Sequence, residues 1–143
     1  MARISKAMTS LIIDGEVDTS KARFVAIRDE LSDALESKKY PIRVDITWNY
    51  QGDMADMPKD DTMKDFTDFE EAVVPSFEKN NLALLAYILT GEGKRVWSFY
   101  TRNLNAFETT LNEALNELPL YPLIIHAEMD IEGDAYKEAF SLL

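Results

Sequence analysis

From Ile42 the chain alternates. Ile42, Val44, Ile46, Trp48 and Tyr50 fall on one side, and Arg43, Asp45, Thr47 and Asn49 on the other. A period of two predicts a half-buried strand. A second strand is predicted over 82–90, where LALLAYILT is almost wholly apolar and so reads as covered on both faces. Gly91-Glu92-Gly93 predicts a tight hairpin, and Arg95–Arg102, rich in aromatic and β-branched residues, the returning strand. Tyr121–Asp130 alternates again, with Leu123, Ile125, Ala127 and Met129 against Ile124, His126, Glu128 and Asp130. Met8–Ile13, ending at Asp14-Gly15, predicts a short first strand.

Helical spacing separates these runs. Phe24, Ile27, Leu31 and Leu35 recur every three or four residues, which predicts a helix capped by Asp18, Thr19 or Ser20 and stopped before Pro41. Phe66, Phe69, Val73 and Phe77 form a second stripe, with Pro75 expected to disturb its last turn. Phe107, Leu111, Leu115 and Leu118 form a third, with Asn105 and Glu108 spaced as a capping box. A short terminal helix is expected from about Gly133, packing Tyr136, Ala139, Phe140 and Leu143. Gln51–Thr62, with Gly52, Pro58 and no sustained period, reads as a surface loop.

The resulting order predicts an α+β fold. It is a ferredoxin-like β-α-β-β-α-β sandwich with an extra N-terminal β-α unit and a short C-terminal helix. Residues 1–143 form one expected domain, with 1–40 as the extension and 42–136 as the core. Four or five mostly antiparallel strands carry helices on one face. The expected core is Phe24, Leu31, Val44, Ile46, Phe69, Val73, Leu84, Phe107, Leu111, Leu115 and Ile125. One conflict stands out. The simplest such sandwich puts the 82–90 strand, the most apolar, at an edge, so the first strand or a second copy of the chain must cover it.

Charge narrows the functional classes. Fifteen Lys and Arg face 26 Asp and Glu, a formal charge of −11. A polyanion is poorly suited to nucleic acid or to an anionic membrane surface, where cations supply the affinity. The chain has no cysteine, which removes disulfides, thiolate metal sites and thiol nucleophiles, and its single histidine excludes a multi-His site within one chain. No apolar run approaches the roughly 18–20 residues of a membrane span, so a cytoplasmic protein is expected.

Candidate chemistry is sparse. His126, Glu128 and Asp130 share one face of a strand, two residues and about 6–7 Å apart per step. A histidine beside carboxylates suits a general base or a metal ligand, whereas a solvated sheet face alternates in the same way. The run from Asp130 to Asp134 fails as a calcium loop, since Ala135 and Ser141 stand where glycine and glutamate are required, and helix capping accounts for its acids. Gly91 and Gly93 join strand to strand and so make no phosphate loop. Trp48, Tyr50, Trp97, Phe99 and Tyr100 read as core, not as base-stacking groups in so acidic a chain.

Acid is also concentrated. Residues 53–71 hold eight carboxylates against Lys59 and Lys64, and residues 128–138 hold five against Lys137. Asp53, Asp56, Asp60, Asp61 and Asp65 are the expected surface for a basic protein partner, set against a plain solubilising role.

Several of these residues form a family pattern. Trp48-x-Tyr50, Phe69-Glu70-Glu71, Leu89-Thr90-Gly91-x-Gly93 and Arg95-x-Trp97-x-Phe99-Tyr100-Thr101 resemble the bacterial family of unknown function numbered 695. Phe107, Tyr121-Pro122, Asp130 and Tyr136 extend the likeness over Ile42–Tyr136. The resemblance implies a small α+β domain and brings no catalytic residues. The segregated acid and the lack of a nucleophile, base and orienter set make the expected role a non-catalytic binding or regulatory module without cofactor or metal. A carboxylate- and histidine-based or metal-assisted enzyme and a small-ligand sensor are the alternatives.

Overall fold

Burial and backbone pairing turn these patterns into one antiparallel sheet. A computed structural model describes residues 8–12, 24–28, 31–51, 58–91 and 93–141. Along the chain the elements are β1 (Met8–Ile12), β2 (Phe24–Arg28), α1 (Ser32–Glu36), β3 (Ile42–Asn49), α2 (Asp60–Glu78), β4 (Ala83–Gly91), β5 (Lys94–Thr101), α3 (Leu104–Ala114), β6 (Leu123–Met129) and α4 (Asp134–Ser141). The strands lie in the order β1-β2-β4-β5-β3-β6, and every neighbouring pair is antiparallel. Among the described residues the sheet thus has six strands, more than the expected four or five.

The extra strand comes from a segment expected to be helical. Phe24–Arg28 is β2, and the helix that follows is only α1. The residues 24, 27, 31 and 35 mix two periods. Val25 and Ile27 alternate inward with Ala26 between them, while Leu31 and Leu35 are one helical turn apart. The β-branched pair fits a pleated surface, and the open edge of β4 supplies the partner that makes it a strand. The N-terminal unit is therefore β-β-α. Its expected caps at Asp18, Thr19 and Ser20, the Asp14-Gly15 turn, and Leu143 lie outside the described residues. The edge of β4 is covered by β2, with β1 beyond it.

Helices occupy both faces of this sheet, not one. On the first face Phe66, Phe69, Val73 and Phe77 of α2 and Phe107 and Leu111 of α3 pack on Val44, Ile46, Trp48, Leu85, Ile88, Trp97 and Phe99. Phe77 stacks on Phe107 at 4.2 Å between centroids, and Trp97 meets Phe69 at 4.7 Å. On the second face Leu31 and Leu35 from the α1 region and Tyr136 and Ala139 of α4 pack on Val25, Ile27, Leu84, Ala86, Tyr87 and Tyr100. β4 serves both faces by alternation, and a bulge between Leu85 and Tyr87 shifts that alternation by one residue, so that Ala86 and Tyr87 both join the second cluster. The five aromatics read as core divide likewise: Trp48, Trp97 and Phe99 join the first cluster, with Tyr50 packed against it, and Tyr100 joins the second.

Local chemistry sets the element ends. Gly93, at φ 77°, completes the turn that returns β4 into β5. α2 runs through Pro75 to Glu78, and the amide of Lys79 still donates to the carbonyl of Pro75. Asp60 and Asp61 form its first turn, so the loop read over 51–62 stops short of them. The cap of α3 is Asn103, two residues before the expected Asn105. Asn103 is extended, and its side-chain oxygen accepts from the amide of Ala106 at 2.9 Å. Gly133 (φ 68°) approaches Leu35 so closely that an added Cβ would sit 3.0 Å from its Cδ1, which brings α4 against α1. Of the expected core, Leu115 is half-buried against the first cluster, Ile125 is exposed on β6 and falls outside it, and the side chain of Phe24 lies outside what is described.

Candidate functional site

The second face is covered unevenly. α4 packs over β2 and β4, leaving the β3–β6 half of that face to polar side chains. Alternation in β3 points Arg43 and Asp45 there, and the antiparallel register sets Glu128 opposite Arg43 and His126 opposite Asp45. Ser98 and Tyr100 on β5 complete the floor, opposite Asp45 and Arg43 respectively.

Arg43 organises this floor. Its Nε donates to both oxygens of Asp45 at 3.2 Å, and Nη2 donates to Glu128 at 2.6 Å. Nη1 lies 3.6 Å from Asp130. Burial opposes the charge of Arg43, but the carboxylates outweigh it and hold the guanidinium above its ordinary range. Asp45 also accepts from Ser98 Oγ at 2.7 Å. Beside them Tyr87 is pushed up by burial, despite a hydrogen bond with Ser98.

Asp130 stands where the sheet meets α4. Its carboxylate accepts from Tyr100 Oη at 2.6 Å and from the amides of Asp134 and Ala135 at 2.8 and 3.1 Å. Burial raises its proton affinity. The Tyr100 hydroxyl, the two amides and Arg43 together overcome that and hold the carboxyl below its ordinary value. Burial first, and then Asp130, keep Tyr100 far above the usual tyrosine range. Tyr100 Oη in turn accepts from the amide of Tyr136, whose own hydroxyl donates to the carbonyl of Arg28 at 2.6 Å. Asp130 thus caps α4 and ties it to β5.

Of the three candidates on this strand face, Glu128 and Asp130 are bridged by Arg43, and His126 approaches only Glu128. His126 and Glu128 lie on the open surface, with Nε2 3.8 Å from the Glu128 carboxylate and His126 65% exposed. Asp130 turns inward to the helix. Among the described residues, no three His, Asp or Glu gather in an arrangement that would hold a metal ion. Arg43, Asp45, Ser98 and Tyr100 join the site from outside the expected set. The alternation of β3 marked Arg43 and Asp45 as one polar side, but their union with Tyr100 and Asp130 depends on strand order.

The acidic surface lies on the far side of the sheet. Asp60, Asp61 and Asp65 are exposed on the first two turns of α2, whose buried stripe begins at Phe66. Asp68 extends them one turn further, 3.5 Å from Lys64. Asp53 and Asp56 lie outside the described residues. Sequence patterning passed over a groove of about 800 Å³ between the end of α2 and α3, lined by Lys79, Asn80, Arg102, Asn103, Thr110 and Glu113 among others. Among the described residues, no helix is long and apolar enough to cross a membrane.

The model of a family of unknown function, DUF695, matches residues 15–140. The chain belongs to that family, and the match includes the β2–α1 region that precedes the residues carrying the likeness in sequence. Comparison with curated proteins finds no match.

Proposed function

We propose that this DUF695 member is a non-catalytic protein-binding or regulatory module whose contact surface is the acidic start of α2. The observation that carries this reading is the exposure of Asp60, Asp61 and Asp65 together, with Lys59 and Lys64 as the cations nearest them in sequence. Such a surface attracts a basic partner over a distance set by screening, about 8 Å at physiological salt. The polar cluster supports the same reading. Asp45, Glu128 and Asp130 all engage Arg43, and Ser98 is buried and donates a hydrogen bond to Asp45. Those carboxylates therefore act mainly in holding β3, β5, β6 and α4 together. The order β4-β5-β3-β6 also supports a ferredoxin-like reading of the region from Ile42 onward.

The test is recovery of partners by the intact chain at low and high salt. The variant carrying Asp60→Asn, Asp61→Asn and Asp65→Asn should bind at least tenfold more weakly at low salt, mainly through a slower on-rate. Asp60 and Asp61 face the positive end of α2, so their loss should also cost about 0.3–1 kcal/mol each in stability. Equal recovery by wild type and variant at both salts would leave the acids as a solubilising surface.

The small-ligand alternative rests on the groove beside α3. Lys79 and Arg102 line it with the side chains of Asn80 and Asn103, two cations against the single carboxylate of Glu113, a set that can take a small anion. Thermal stabilisation by a small dicarboxylate or phosphate, lost in Arg102→Gln, would favour that reading.

A further inference from the structure

Among the described residues, β6 pairs only with β3 and leaves one edge of the sheet open. Edge strands are ordinarily protected by lysine, proline, a bulge or a covering element, because their free amides and carbonyls template pairing. β6, LIIHAEM, has no lysine and no proline. It exposes apolar side chains on both faces, with Ile124 at 58%, Ile125 at 44% and Met129 at 61%, and Leu120 and Ile131 exposed beyond its two ends.

The backbone phase of this edge can be read. The amide of Asp130 donates to the carbonyl of Pro41, one step past the pair Ile42–Met129. Antiparallel alternation therefore turns the backbone groups of Ile124, His126 and Glu128 toward β3, and those of Ile125, Ala127 and Met129 outward. A second β6 running antiparallel would meet three outward-facing residues with three of its own.

We propose that β6 pairs with β6 of a second copy of the chain about a two-fold axis through Ala127. This register matches both faces at once. On the α2–α3 face the smallest side chain sits on the axis, and Ile125 faces Met129 of the partner subunit, twice. On the polar face His126 faces Glu128 of the partner subunit, also twice. The row across the interface then reads Asp45, His126, Glu128 of the partner subunit, Arg43 of the partner subunit, alternating in sign once His126 is charged. Neighbouring registers match less well. An axis through His126 sets His126 against itself and Ile124 against Glu128. An axis through Glu128 opposes two carboxylates, which is destabilising. The charge and apolar complementarity of the Ala127 register names a second copy as the occupant.

The absence of cysteine from the chain gives a clean test. Under mild oxidation Ala127→Cys should form a covalent dimer, because a hydrogen-bonded antiparallel pair holds its Cα atoms about 5.5 Å apart, inside the disulfide range of about 4.4–6.8 Å. Ile124→Cys should not, since the same register separates its two copies by about 20 Å. Ala127→Pro removes an amide that points away from β3, so it should leave circular dichroism unchanged and weaken dimerisation at least tenfold by sedimentation. His126→Lys should tighten the dimer, and His126→Glu should loosen it. A wild type that stays monomeric at millimolar concentration overturns the proposal. So does cross-linking of Ile124→Cys as fast as Ala127→Cys, or a monomer whose β6 amides become protected only on adding an extended peptide.

Discussion

β4 and β6 belong to the same sheet and are both rich in apolar side chains, yet they meet opposite surroundings. Eight of the nine residues of β4 are buried. In β6 six of seven are exposed, and Leu123 alone is half-buried. Composition does not separate them: ALLAYILTG and LIIHAEM each hold a run of aliphatic residues. Position does. β4 lies between β2 and β5 with helices above and below, whereas β6 has one neighbour among the described residues and extends past the cover of α2 and α3. An apolar strand is thus a statement about what a segment can tolerate. Whether it stabilises the fold depends on what the remainder of the chain lays over it.

Substitutions on the two strands sharpen this contrast. The largest effect is expected from Leu84→Ala. Leu84 is fully buried against Tyr100 and its neighbours, so truncation removes apolar contact and leaves a cavity. A loss of about 3 kcal/mol is expected, read from urea unfolding midpoints at unchanged m.

Next comes Asp130→Asn, at the junction of the sheet with α4. The variant loses a charge that accepts from Tyr100 and two amides, at an expected cost of about 2 kcal/mol. Its pH dependence has a definite sign. The folded carboxyl lies below the ordinary 3.8, so the unfolded chain binds the proton more readily. The stability that Asp130 contributes is present above that ordinary value and is lost as pH falls through the folded one. Urea titrations between pH 2.5 and 6 should therefore show a steeper acid loss in the wild type than in Asp130→Asn. Parallel curves would mean that Asp130 does not tie α4 to the sheet.

The smallest effect is expected on β6. At protein concentrations low enough to keep the chain monomeric, Ile124→Ala should change stability by less than about 0.5 kcal/mol. A loss near that of Leu84→Ala would show that β6 is covered within a single chain, and the contrast with β4 would fall.

Much of this architecture was legible from local pattern. The stripe Phe66, Phe69, Val73 and Phe77, the hairpin at Gly91–Gly93 and the alternation of β3 each follow from a period or a turn requirement contained within a few residues. Three features were not. Val25 and Ile27 satisfy a strand and, with their neighbours, nearly satisfy a helix; only the free edge of β4 decides between them. Ile125 sits on the apolar side of β6 and still faces solvent, because helical cover ends before it arrives. Asp130 shares a strand face with His126 and Glu128 in sequence, yet the start of α4 and Tyr100 draw its carboxylate inward. Periodicity reports which side of an element each residue occupies, and that the sequence determined alone. Which sides are covered, and which polar groups find partners, depends on contacts between residues far apart in the chain, and these exist only once the sheet order and the helix placement are set.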